Sequence, residues 1–111
     1  MKNYVFIAAA AAGLLMAAPA QAGDAAAGAK VFKKCKACHY VDREKNQSGP
    51  HLVNIVGRAA GAVEGFKYSK AMAGSGLVWD EATLAGFLAK PKKYLKGTKM
   101  SFAGLKKESD I

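Results

Sequence analysis

The sequence predicts an all-α domain in which a few short helices are separated by long loops. Three observations carry this reading. Asp24, Ser69 and Asp80 each stand immediately before a stretch with helical spacing or composition, and side chains of these types satisfy the free N–H groups of a first helical turn. No run of alternating β-branched residues is long enough to build a sheet. Between the helical stretches, Gly, Pro and charged residues interrupt every periodic pattern.

Taken in order, Asp24 caps a first helix running to about Cys35, with Gly28, Val31, Phe32 and Cys35 on one face. From Tyr40 to Gly65 the chain is mostly loop. Ser69 caps a short helix that Gly74 to Gly76 end. Asp80 opens another, with Leu84, Phe87 and Leu88 as its apolar stripe, and Pro91 stops it. Lys92 to Gly104 is irregular. Loops this long are rare in a small domain without a functional reason. They can be ordered when they wrap a large apolar ligand.

Residues 1–22 read as a signal peptide. Lys2 supplies the positive start, Tyr4 to Ala18 is an apolar run of 15 residues, and Ala20-Gln21-Ala22 has the small-x-small form of a cleavage site. The run is shorter than the roughly 20 residues of a spanning helix; an uncleaved anchor is the weaker alternative. Cleavage after Ala22 leaves one domain, residues 23–111. A core of this size is marginal unless something helps to fill it. Export also places Cys35 and Cys38 in an oxidising compartment, so a disulfide is one possible state.

The 17 Lys and Arg outnumber the 8 Asp and Glu. That balance suits nucleic acid, an anionic membrane surface or acidic proteins. No nucleic-acid recognition motif accompanies it, and an exported protein does not meet nucleic acid in the cytoplasm. Acidic protein partners fit best.

Cys35-Lys36-Ala37-Cys38-His39 is the most informative segment. Two thiols at this spacing lie on one side of a helical turn and can add across the two vinyl groups of a haem, while the adjacent imidazole reaches the iron. A thioredoxin-like site would need a βαβ setting, and a zinc site would need two more ligands. The other histidine is His51, and there are no further cysteines. A lone disulfide leaves His39 unexplained. Haem attachment is the best reading.

A sixth iron ligand separates electron carriers from catalysts. Met72 falls in the short helix after Ser69, where a core methionine is the simpler reading. Met100 lies in an irregular loop between Gly97 and Gly104, which can present a flexible thioether to the opposite haem face. His/Met ligation raises the reduction potential. Met100 is therefore the better candidate, with gap-filling as its alternative.

With these residues in view, the chain resembles class I cytochrome c, the family of mitochondrial cytochrome c and its bacterial periplasmic relatives. Besides the haem motif, the matching segments are Gly23-Asp24, Phe32, Gly49-Pro50-His51-Leu52, Gly57-Arg58, Gly65-Phe66-Lys67-Tyr68, Trp79, Pro91-Lys92-Lys93-Tyr94 and Gly97-Thr98-Lys99-Met100-Ser101-Phe102-Ala103-Gly104. The resemblance implies a cytochrome c fold, short helices and long loops around one covalent haem c. It implies thioethers at Cys35 and Cys38, and His39 and Met100 as axial ligands. The Pro50 carbonyl would accept the second imidazole N–H. Arg58, Tyr68 and Trp79 would hold the propionates, with Thr98 nearby.

The implied function is that of a soluble, monomeric electron carrier in the periplasm with no enzymatic turnover. It would cycle one haem iron between ferric and ferrous states and shuttle electrons between membrane redox complexes. Lys33, Lys34, Lys36, Lys92, Lys93, Lys96 and Lys99 would dock acidic surfaces on a quinol–cytochrome c reductase and on a terminal oxidase or reaction centre, with transient contact at the membrane surface. The alternative is a haem peroxidase-like or gas-binding protein in which Met100 does not ligate the iron. Three departures stand out. Phe87 occupies the place of a tyrosine and Met72 that of an asparagine, which leaves the distal side less polar. The family's C-terminal helix, which would cross the first helix at Gly28 and Phe32, is expected to be missing beyond Lys107-Glu108-Ser109-Asp110-Ile111.

Overall fold

The computed structural model describes residues 23–111; the signal-peptide reading of residues 1–22 lies outside them. Asp24 caps as its side chain predicts, with Oδ1 accepting from the N–H groups of Ala26 and Ala27 at 3.0 and 3.1 Å. Helix α1 spans Ala25–Val31. It is shorter than expected, because at Phe32–Lys34 the chain tightens into a 3₁₀ turn. Tightening of this kind satisfies carbonyls that a helix end would leave free. A β-carbon at Gly28 would meet nothing beyond its own helix within 4 Å, and Phe32 is half-exposed.

Residues 40–65 contain no helix. They are held instead by turns and two isolated antiparallel bridges, His39 with Asn46 and Ala59 with Val78. The second bridge is extended by Trp79 N–H to the Arg58 carbonyl at 2.9 Å and Gly57 N–H to the Trp79 carbonyl at 2.5 Å. Helix α2, Lys70–Ala73, is one turn. The buried Ser69 hydroxyl accepts from Met72 N–H at 3.0 Å, and Gly74 ends the turn.

Helix α3, Glu81–Ala89, begins at Asp80, whose carboxylate accepts from Thr83 N–H at 2.7 Å. Of its apolar stripe, Phe87 is buried, while Leu84 and Leu88 are half-buried. Pro91 does end α3, but it also starts helix α4, Pro91–Tyr94. The irregular stretch expected from Lys92 therefore begins one turn later. The reason is chemical: proline needs no N–H partner in a first turn, and its fixed φ is already helical.

Trp79, Phe87 and Leu105 are the buried hydrophobic core among the described residues, and Pro91 is fully buried. Trp79 and Phe87 rings sit 5.1 Å apart and tilted at 54°, and Tyr94 meets Phe87 edge-on at 6.4 Å. Burying a ring of this size stabilises by about 1.5–3 kcal/mol.

Candidate haem-attachment site

The Cys35–His39 segment is a single turn. Cys38 N–H and His39 N–H both donate to the Cys35 carbonyl, at 3.1 and 3.0 Å. This gathers two sulfurs and one imidazole within one turn of backbone. Cys35 and Cys38 are not joined to each other in the structure. Burial, and then the neighbouring Cys38, push the Cys35 thiol up from its usual range, with Lys34 opposing.

The loop that follows is clipped onto this turn along its length. Gln47 Nε2 donates to the Lys36 carbonyl at 3.4 Å, Gly49 N–H to the Cys38 carbonyl at 2.9 Å, and Leu52 N–H to the Tyr40 carbonyl at 2.8 Å. Pro50 is thus placed beside His39. The His39 Nδ1 lies 2.7 Å from the Pro50 carbonyl. A carbonyl can only accept, so Nδ1 carries a hydrogen, and Nε2 is the ring nitrogen left free of this bond. Gly49 is buried under the same ring: a β-carbon here would come within 2.7 Å of His39 Nδ1 and 2.9 Å of Nε2.

Arg58 and Trp79 are brought together by the backbone pairing of their segments. The Arg58 guanidinium donates from Nη1 to the Val53 carbonyl at 3.1 Å and from Nη2 to the His51 carbonyl at 2.9 Å. Its Nε–H is buried without a protein partner. A buried donor with no partner costs about 1–3 kcal/mol, and an anionic oxygen is the partner that a guanidinium suits best. The Tyr68 hydroxyl accepts from Val63 N–H at 3.1 Å, and its ring meets Phe66 edge-on at 4.9 Å.

The methionine loop is held at both ends. On the Gly97 side, a β-carbon would lie 3.2 Å from that of Ala71 in α2. On the other, Leu105 N–H donates to the Leu88 carbonyl at 2.8 Å. Gly104 there has φ +117° and presses on the Ala89 carbonyl, so both conformation and space call for glycine. Between these anchors the Thr98 hydroxyl accepts from Met100 N–H at 3.3 Å, and Met100 is half-buried. All seven lysines singled out above are exposed. Lys92 and Lys93 border a hollow of about 370 Å³ that Ser101, Phe102 and Ala103 close from the methionine loop.

These residues fit a haem. Two thiols, an imidazole whose Nε2 is left free by the bond at Nδ1, and a buried arginine donor without a protein partner form a donor set that suits a propionate-bearing porphyrin. Sequence reasoning gave no role to Asn46, which pairs with His39 and holds His51 N–H through its side chain at 3.1 Å. Nor did it give one to Gly49. A glycine two residues before a histidine, next to a proline, was the available signal for a crowded turn.

The Cytochrome c family model matches residues 25–108. The chain is 52% identical over 89 residues to cytochrome c type-1 of Ascaris suum, covering 79% of this chain and 80% of that protein. It is 51% identical over 90 residues to cytochrome c2 of Rhodoblastus acidophilus, covering 80% of this chain and 84% of that one. Among solved structures, cytochrome cH from Methylobacterium extorquens superposes with a TM-score of 0.75 at 48% identity, covering 79% of this chain and 89% of its own. The chain belongs to the cytochrome c family and is a class I cytochrome c, an electron carrier built on one covalently attached haem c.

Proposed function

We propose that His39 Nε2 and the Met100 thioether would hold the haem iron, that Cys35 and Cys38 would form the thioethers, and that Arg58, Tyr68, Trp79 and Thr98 would line the propionate side. The observation that carries this is the 2.7 Å bond between His39 Nδ1 and the Pro50 carbonyl. It fixes the ring, leaves Nε2 free of this bond, and does so within one turn of both cysteines. When bound, the haem supplies one-electron chemistry at an iron that alternates between ferric and ferrous.

The chain's own part is positioning. Pro50 and Gly49 set the imidazole plane and keep it basic. Thr98 and the two glycine anchors limit how far Met100 can move. Arg58 offers its unused Nε–H to a propionate oxygen. With both ligands supplied by the protein, the site suits an electron carrier with no enzymatic turnover of its own.

The exposed lysines surround the two ligand-bearing segments in sequence, and two of them flank the methionine loop in space. They suit acidic surfaces on a quinol–cytochrome c reductase and on an oxidase or reaction centre, and they act mainly on the association rate. No helix among the described residues is long and apolar enough to cross a membrane. The protein is exported to the periplasm and cleaved after Ala22. Intact-mass analysis of the exported protein tests these assignments: residues 23–111 plus one haem are expected, and the haem should survive acid–acetone extraction. A haem-free chain with a Cys35–Cys38 disulfide would refute them.

A further inference from the structure

The Asn46 side chain joins three segments of the site. Its backbone pairs with that of His39 in an isolated bridge. Its Oδ1 accepts from His51 N–H at 3.1 Å, and its Nδ2 donates to the backbone carbonyl of Glu64 at 3.3 Å. An N–H can only donate and a carbonyl can only accept, so the two partners settle which end of the amide is which. Each arm then leads to a donor that still has a hydrogen to give. On the first, the His51 carbonyl holds Arg58 Nη2 at 2.9 Å, and the Arg58 Nε–H is buried without a protein partner. On the second, Val63, next to Glu64, donates its N–H to the Tyr68 hydroxyl at 3.1 Å. A hydroxyl that accepts in this way keeps its own O–H for another acceptor.

We propose that Asn46 is a positioning residue for both propionate donors: its amide ties Arg58 and Tyr68 to the turn that carries His39, and so raises the reduction potential. The inference rests on the reading of Arg58 and Tyr68 as propionate-side residues. The two arms require this type of side chain. A carboxylate at position 46 would still accept from His51 N–H but would set oxygen against the Glu64 carbonyl, and an apolar side chain would serve neither arm. The sign follows from charge. Donors held against the carboxylates offset negative charge near the iron, and the ferrous state, with one electron more, gains the most from that offset. Freeing the donors therefore favours the ferric state.

The test uses the holoprotein, with amide hydrogen exchange followed by NMR and the midpoint potential measured beside it. In Asn46→Ala, His51 N–H and Val63 N–H should both exchange at least tenfold faster, while Leu105 N–H, held by the Leu88 carbonyl at 2.8 Å, keeps its rate. The balance should move at least threefold toward ferric, which corresponds to a fall of about 28 mV at 59 mV per tenfold change for one electron. Asn46→Asp should separate the arms, with His51 N–H still protected and Val63 N–H released. An unchanged potential in Asn46→Ala, or the same exchange at Val63 N–H in the parent and Asn46→Asp, overturns the proposal. If Asn46→Ala retains no haem, the exchange pattern of Asn46→Asp decides alone. Nuclear Overhauser contacts from the haem propionates to Arg58 and Tyr68 in the parent keep the two readings apart. Their presence leaves the site assignment standing when the variants fail, and their absence overturns both.

Discussion

Gly49→Ala should damage the site by pressing on the imidazole alone. The new β-carbon would stand 2.7 Å from His39 Nδ1 and 2.9 Å from Nε2, well inside the roughly 3.5–4.0 Å at which nonpolar atoms pack. The backbone cannot retreat, because Gly49 N–H is held by the Cys38 carbonyl and its own carbonyl by Gln47 N–H, both at 2.9 Å. The ring must therefore turn or slide, and the 2.7 Å bond to Pro50 stretches with it. Overpacking of this kind costs about 1–3 kcal/mol, and the weakened hydrogen bond adds about 1 kcal/mol. Against a net stability of about 5–15 kcal/mol this is a large fraction. A loss of ~3 kcal/mol at a slope of about 4 kcal/mol per molar guanidinium lowers the unfolding midpoint by ~0.7 M. Equilibrium unfolding of the holoprotein measures that shift, and ferric electron paramagnetic resonance reports the altered ring orientation. A midpoint within about 0.1 M of the parent, with unchanged spectra, would refute the claim that Gly49 is required by the ring above it.

Two further outcomes follow from the surface. Electron transfer with an acidic redox partner should slow steeply as ionic strength rises, and charge reversal at Lys36 or Lys99 should slow it more than reversal at Lys70; a rate indifferent to salt would return these lysines to an ordinary solvated surface. Hydrogen bonds from the Thr83 N–H and then its hydroxyl hold the Asp80 carboxyl below its usual range, so the stability this cap adds is complete above the unfolded-chain value of about 3.9 and is lost as pH falls through the lower folded value. Asp80→Asn keeps a neutral cap, and its advantage or deficit in thermal midpoint relative to the parent should change only in that acidic window.

The parts of the fold legible in the sequence are those set by local chemistry. Asp24, Ser69 and Asp80 are caps because each side chain reaches N–H groups two or three residues ahead. Pro91 misled for the same local reason: its effect on the residue before it is easy to read, and its fitness to start the next helix is not. The 40–65 loop had no period to read. It is fixed by side-chain-to-backbone bonds from Asn46, His51 and Arg58, each dependent on where the rest of the loop already lies.

The candidate site divides in the same way. Cys35, Cys38 and His39 are legible from spacing, since one helical turn gathers them. The pairing of Arg58 with Trp79 and the seat of Gly49 under His39 join residues far apart in sequence, and spacing carries no trace of either. Family resemblance pointed to Arg58 and Trp79 where periodicity could not. It did not supply the Asn46 amide that joins His51 to Glu64, which only the hydrogen bonds display.

The most direct test of the account concerns the sixth ligand, because an electron carrier with fixed coordination requires one. In the ferric holoprotein, Met100 ligation should give a weak near-infrared sulfur–iron band, and the ferrous form should resist carbon monoxide. Met100→Ala should abolish the band and open the iron to carbon monoxide, while Met72→Ala should leave both properties as they were. A band that survives Met100→Ala, or disappears in Met72→Ala alone, would contradict the account.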